Sequence, residues 1–183
     1  MNRDKDSLWP CFLDIEASSW HTNSFPIEIA WSTPQGLIEC YLINPDSILE
    51  WKNWDFSAQS IHGISLDHCQ ENGIHPGFVC KQLSRSFPPG SVVYADGGPF
   101  DQYWIDQLYA VCTKHGFSRF LVRHSDDVIL PLLTNVDISK RQEYFDNLKN
   151  IARQKARGRH RARVDVEYLI ELYKLCKAQA PSH

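Results

Sequence analysis

A chain of 183 residues with 43% hydrophobic, 22% charged and 12% aromatic side chains has the composition of a folded protein rather than a disordered segment. No apolar run approaches the roughly 20 residues that span a bilayer. The opening Met1–Asp6 stretch carries charges of both signs and no apolar signal segment, so a cytoplasmic protein is expected, organised as one domain over residues 1–183 with its core in about 9–177.

The first strand is expected over Trp9–Glu16, where an apolar run feeds into Asp14-Ile15-Glu16. Pro26–Trp31 is β-rich, Thr33-Pro34-Gln35-Gly36 is a turn signal and Leu37–Ile43 continues as a third strand, so the chain opens as an antiparallel meander. Residues 44–60 read as irregular and hold Trp51, Trp54 and Phe56, aromatics suited to packing beneath a loop. Gly63 permits a bend and Ser65 suits the cap of a short helix. A helix follows from Pro76 to Phe87, then a central strand at Val92–Ala95 and a helix over Phe100–Lys114. Phe120–Val122 forms a short fifth strand, Ser139 to about Arg157 a polar helix and Asp165–Lys177 the last helix, with Val166, Leu169, Ile170, Tyr173 and Cys176 on one stripe. Strands first and strand–helix alternation afterwards predict an α/β fold: a mixed five-stranded sheet with flanking helices.

The six cysteines form no C-x-x-C pair, which argues against a zinc knuckle or a disulfide scaffold and for reduced thiols. The net charge of −3 conceals an asymmetry: residues 140–163 carry nine Lys or Arg against Glu143 and Asp146, so the other residues total −10. A local basic segment on an acidic chain points to a local anionic partner, although such runs are also often solvated helix faces.

The chemistry concentrates in scattered carboxylates. Alternate residues of a strand share a face, so Asp14 and Glu16 point the same way. Paired carboxylates repel unless a cation lies between them, and carboxylate oxygens are the ligands Mg²⁺ and Mn²⁺ favour. Alone, this pair would more often mark a solvent-facing strand edge. Asp101 follows a strand and Phe100 at the start of a helix, and His160 stands five residues before Asp165. Either aspartate by itself is explained by the helix macrodipole.

Together these pieces resemble the DEDDh family of 3′–5′ exonucleases, the group that contains RNase T, oligoribonuclease and the proofreading subunit of DNA polymerase III. Its D-x-E motif matches Asp14 and Glu16, its second aspartate matches Asp101, and its H-x-A-x-x-D motif matches His160, Ala162 and Asp165. Pro26–Ala30 looks like the family's second strand and Ile61-His62-Gly63-Ile64 like its V-H-G-I segment beside the terminal nucleotide. Ala17-Ser18-Ser19 stands where many members have Thr and Gly, and Ala95–Asp101 departs from H-N-x-x-F-D. These departures bear on nucleotide selectivity more than on chemistry, because every ligand position is filled.

The resemblance implies an RNase H-like fold and a metal-dependent 3′–5′ exonuclease that releases 5′-mononucleotides from the 3′ end of a single strand, with a slight tilt toward RNA or short oligonucleotides over DNA. Asp14, Glu16, Asp101 and Asp165 would hold two Mg²⁺ ions, with Mn²⁺ able to substitute, and paired dications clamp the attacking and leaving oxygens of a phosphodiester. His160 would be the general base, on a loop made mobile by Gly158. Ala17, Ser18, Trp20, His62, Phe100, Arg159 and Arg161 are the expected substrate contacts, Trp20 by stacking on a base, with a core or lid role the equal alternative, and the arginines by holding phosphates beside Arg153, Lys155, Arg157 and Arg163. A homodimer is plausible by the same resemblance. The competing expectation is a non-catalytic nucleic-acid-binding member of the same fold within a larger complex. A generic phosphatase ranks behind both, for want of a Walker-type glycine loop or a nucleophile motif.

Overall fold

The computed structural model describes residues 9–112, 118–158 and 160–179. β1 (Leu13–Ala17) alternates as its sequence demands: Leu13, Ile15 and Ala17 are buried, and Asp14 and Glu16 take the opposite face. It pairs antiparallel with β2 (Pro26–Ser32), placing Asp14 across from Ala30 and Glu16 across from Glu28, with a bulge after Glu16. All seven β2 residues are buried, because this strand is central and its other edge carries β3 (Ile38–Leu42). The turn between them uses Gly36 at φ 79°, a left-handed conformation that glycine adopts without steric cost.

β4 (Val92–Ala95) and β5 (Leu121–His124) form a parallel pair. The expected meander and parallel strands are all present, but the single continuous five-stranded sheet is not: a three-stranded and a two-stranded sheet meet at one parallel bridge, Phe12 to Tyr94. The Tyr94 N–H donates to the Cys11 carbonyl (2.9 Å), while Phe12 is held on its other side by two 2.8 Å bonds with Ser32.

Helices cover both faces. α3 (Pro76–Ser86) and α4 (Pro99–Cys112) belong to the core of Leu13, Ile15, Ile27, Ile29 and Trp31. α6 (Arg141–Lys155) and α7 (Ala162–Lys177) pack Phe145, Leu148, Val166 and Leu169 with Phe12 and Ala30 on the other side. Between β5 and α6 lies the one-turn α5 (Asp126–Ile129). By strand parity, Asp14 and Glu16 share a face with Phe12 and so look toward α7.

The segment expected to be irregular contains α1 (Phe56–His62). Asp55 caps it by accepting from the Ser57 N–H (2.7 Å), and Gly63 at φ 73° closes it. Trp51 packs inside as expected, stacked on Phe25 at 5.1 Å, whereas Phe56 is exposed. Ser65 caps α2 (Leu66–Asn72). The last helix begins at Ala162 rather than Asp165, because Glu28 of β2 accepts the Ala162 N–H (3.0 Å), a first-turn group with no partner within the helix.

All six cysteines are free thiols. Among the described residues, no helix is long and apolar enough to cross a membrane.

Gly73 seats α2 against the end of β3: a Cβ there would overlap the Cys69 carbonyl oxygen and lie 2.6 Å from the Ile43 carbonyl carbon. Those are backbone atoms with little freedom to yield. Gly73→Ala is expected to destabilise the protein by about 1–3 kcal/mol, the usual cost of overpacking, measurable by urea unfolding.

Candidate active site

A cleft of about 340 Å³ opens at the C-terminal end of β1 and β4 and is lined by Asp14, Glu16, Asp96, Asp101, Arg153, His160 and Asp165, with Trp20, Ile61, Phe100 and Trp104 as its apolar rim. β1 contributes Asp14 and Glu16, and the first turn of α7 contributes Asp165. One carboxylate oxygen from each of these three lies within 4.8 Å of the others, close enough to ligate a single cation.

Asp101 enters from the first turn of α4. It is only 2% exposed, and its Oδ2 has no hydrogen-bond partner. Gly97 makes room for that carboxylate, since a Cβ there would sit 2.6 Å from Oδ2. A buried, orphaned carboxylate oxygen beside three converging carboxylates is a donor set that fits a hard divalent cation.

The electrostatics agree. Burial, followed by the charges of Asp101, Asp165, Glu16 and Asp96, pushes the Asp14 carboxyl well above the usual carboxylate range. Burial, then Asp165 and Glu28, pushes Glu16 up to about 8, against a smaller opposing pull from Arg161. Asp101 rises to about 7, through burial and then Asp96, offset in part by backbone hydrogen bonds. Each carboxyl lacks the countercharge that would keep it ionised at neutral pH.

His160 is exposed on the segment between α6 and α7 and lines the cleft. Trp20 (63% exposed) and Phe100 (61%) flank it, each with its ring tilted toward Trp104, at 6.1 and 6.2 Å. The same three rings also line an adjoining aromatic cavity of about 290 Å³ with Pro99 and Tyr103. Trp104 presents its ring there because its indole N–H is occupied by the Ser24 hydroxyl (2.8 Å).

Other expected contacts lie elsewhere. His62 is buried, with Nδ1 accepting from the Ile64 N–H (3.0 Å), and it is Ile61, one residue earlier on α1, that reaches the cleft. Burial lowers the His62 pKa, so it stays neutral. Ser18 is buried and spends its hydroxyl and N–H on Phe25, at 3.1 and 2.9 Å, and Ala17 faces a small internal cavity beside His62. Arg159 lies outside the described residues.

Arg161 is bound to Glu28 rather than facing the cleft: its Nε donates to both carboxylate oxygens (3.1 and 2.9 Å) and its Nη2 to Oε1. Arg163 pairs with Glu167 and Lys155 with Glu171, so much of the basic segment is neutralised by the chain's own acids. Sequence reasoning missed Asp96, Ile61, Glu28 and the separate position of Arg153. For Asp96 the signal was its place directly after an apolar strand that leads to Asp101. For Glu28 there was none.

No family model matches the chain, and no curated protein sequence matches it. Its fold is matched among solved structures. Escherichia coli exonuclease I in complex with a 5cy-dT13 oligonucleotide superposes with a TM-score of 0.63 at 17% identity, over 92% of this chain and 40% of that one. A product-bound exonuclease I gives 0.59 at 17% identity over 92% and 43% of the two chains. The zinc-bound form of the E. coli exonuclease I–single-stranded DNA complex gives 0.56 at 17% identity over 91% and 39%. The chain thus shares the mixed α/β fold of exonuclease I and spans about 40% of the length of that protein.

The raised carboxyls have a measurable consequence. Glu16 keeps its proton to about pH 8 in the folded protein, whereas an unfolded glutamate releases it near 4.5. The folded state therefore binds more protons across that window, and stability falls as pH rises through it when no divalent cation is present. In EDTA at about pH 8, Glu16→Gln is expected to melt about 2–4 °C above the wild type, with the difference closing near pH 5, by scanning calorimetry.

Proposed function

We propose that this chain is a metal-dependent 3′–5′ exonuclease of the DEDDh type, which shortens single-stranded nucleic acid and releases 5′-mononucleotides. The observation that carries the proposal is the meeting of Asp14, Glu16 and Asp165 oxygens within 4.8 Å, beside the orphaned Asp101 carboxylate and His160 in one cleft. The matched fold supports it, and the oligonucleotide complexes of exonuclease I favour single-stranded DNA as the first substrate to try. A binding-only protein has no physical need to gather self-repelling carboxylates in one cleft.

Asp14, Glu16, Asp101 and Asp165 would hold Mg²⁺, two ions per site, with Mn²⁺ as a substitute. Such ions supply Lewis-acid stabilisation of the charge that builds on a phosphodiester under attack. Asp14 feels the charges of Asp101, Asp165 and Glu16 together and would contribute a ligand oxygen from the centre of the set. Asp101 reaches the set through the space that Gly97 leaves.

His160 is the one histidine among the described residues that line the cleft, and it takes a proton from the attacking water. Its exposure leaves it free to approach a bound strand end. Trp20, Phe100 and Ile61 offer apolar faces on which terminal bases stack, a contact every base can make and one that favours unpaired ends.

The test is a 5′-labelled single-stranded ladder assay on DNA and RNA, with Mg²⁺, with EDTA and with a blocked 3′ end. Stepwise shortening from the 3′ end that stops with EDTA or the block is the expected result, and His160→Ala should slow it by about 10²–10⁴-fold with the fold intact. Intact free 3′ ends under every metal tried, or cleavage indifferent to the block, overturns the proposal.

A further inference from the structure

Arg153 is the one Lys or Arg among the described residues that line the carboxylate cleft. Its neighbours in the basic segment are engaged elsewhere, Arg161 with Glu28 and Arg163 with Glu167. Arg153 reaches across from α6 and donates from Nη1 to Oδ1 of Asp165, while its guanidinium lies 3.8 Å from the ring centroid of Tyr168. Asp165 and Tyr168 are three residues apart on α7, so they share a helix face and hold the guanidinium between them.

Asp165 is therefore claimed twice. Its carboxylate accepts from Arg153, and it is also one of the three whose oxygens converge closely enough for a cation. A guanidinium and a divalent cation on one carboxylate each weaken the other's hold, because they repel one another and share a single negative charge. The stacking on Tyr168 does not depend on Asp165, so Arg153 can give up the carboxylate and still remain at the cleft wall. A freed guanidinium there presents planar, forked N–H donors, the geometry that binds phosphate oxygens in pairs.

We propose that Arg153 is a phosphate-binding residue held on Asp165: it leaves when that carboxylate turns to a divalent cation, and then grips a phosphate of the nucleic-acid strand. The inference rests on the exonuclease reading for the identity of the strand. It makes cation and strand binding cooperative through one side chain, and the coupling is reciprocal. Cation binding alone loses affinity to the competitor on Asp165. A strand restores that affinity by taking the competitor away.

The experiment uses the full chain with Arg153→Met, which keeps an apolar stem for Tyr168, and Arg153→Lys, which keeps the charge without the fork. Mn²⁺ binding without nucleic acid is measured by isothermal titration calorimetry. Binding of a fluorescent single-stranded DNA with a hydrolysis-resistant phosphorothioate 3′ end is followed by anisotropy, with and without Mn²⁺. Arg153→Met is expected to bind Mn²⁺ at least about fivefold more tightly than wild type, and to lose at least about fivefold of the Mn²⁺-dependent gain in strand affinity. Arg153→Lys should fall between the two in the strand measurement.

Unchanged or weaker Mn²⁺ binding by Arg153→Met makes the pair a structural tie between α6 and α7 and overturns the proposal. So does an undiminished Mn²⁺-dependent gain in strand affinity, which leaves the exonuclease reading standing. Absence of strand binding by the wild-type chain with Mn²⁺ counts instead against the exonuclease reading, and takes the phosphate role of Arg153 with it. Should Arg153→Met fail to fold, Arg153→Gln carries the same two measurements.

Discussion

Glu28 sits in the middle of a strand whose seven residues are all buried, 2% exposed itself and directly across from Glu16. A carboxylate there is tolerable only if its oxygens are satisfied, and they are: Arg161 takes both, and the Ala162 N–H takes one. This clamp fixes the start of α7 onto the sheet. It sets where the helix begins, hence where Asp165 faces β1, and it anchors one end of the segment that carries His160. Losing it would detach two of the proposed catalytic groups from the other three without touching any of them.

The site is built by bringing repulsive groups together. Strand parity turns Asp14 and Glu16 toward α7, the clamp brings Asp165 to meet them, and Asp101 arrives from the first turn of α4 with Gly97 leaving space for it. Arg153 answers only Asp165 of the four carboxylates, and the raised proton affinities of Asp14, Glu16 and Asp101 express the remaining imbalance. The hydrophobic cores on either side of the sheet supply the stability that holds the arrangement. An acidic cluster held in place by apolar packing is a donor set of the kind hard divalent cations favour.

The basic segment illustrates how composition misleads about a surface. Its excess of positive charge suggests a phosphate track, yet in three dimensions Lys155, Arg161 and Arg163 are answered by Glu171, Glu28 and Glu167. Two of those acids lie on α7 itself, and the third is on a strand more than a hundred residues earlier. The aromatics at the cleft differ: Trp20 and Phe100 remain open to solvent, at the one place where large exposed rings adjoin the carboxylates.

Strand alternation, turn residues and capping signals are local, and so the five strands, the helix after Pro76 and the shared direction of Asp14 and Glu16 were legible in the sequence alone. The spacing of Asp14, Glu16, Asp101, His160 and Asp165 marked them as a set, and the fold brings all five to one cleft. Local capping signals for α1 are present too, in Asp55 and Gly63, but its seven residues bury only Ala58 and His62 and so carry no apolar stripe. What only the tertiary structure decided was partnership across long separations: Glu28 with Arg161, Arg153 with Asp165, Ile61 in place of His62, and a sheet joined at a single bridge. A side chain's sequence neighbours determine the direction in which it leaves the backbone, but which group it meets depends on how distant segments pack, and in this protein that decides which charges are free to act.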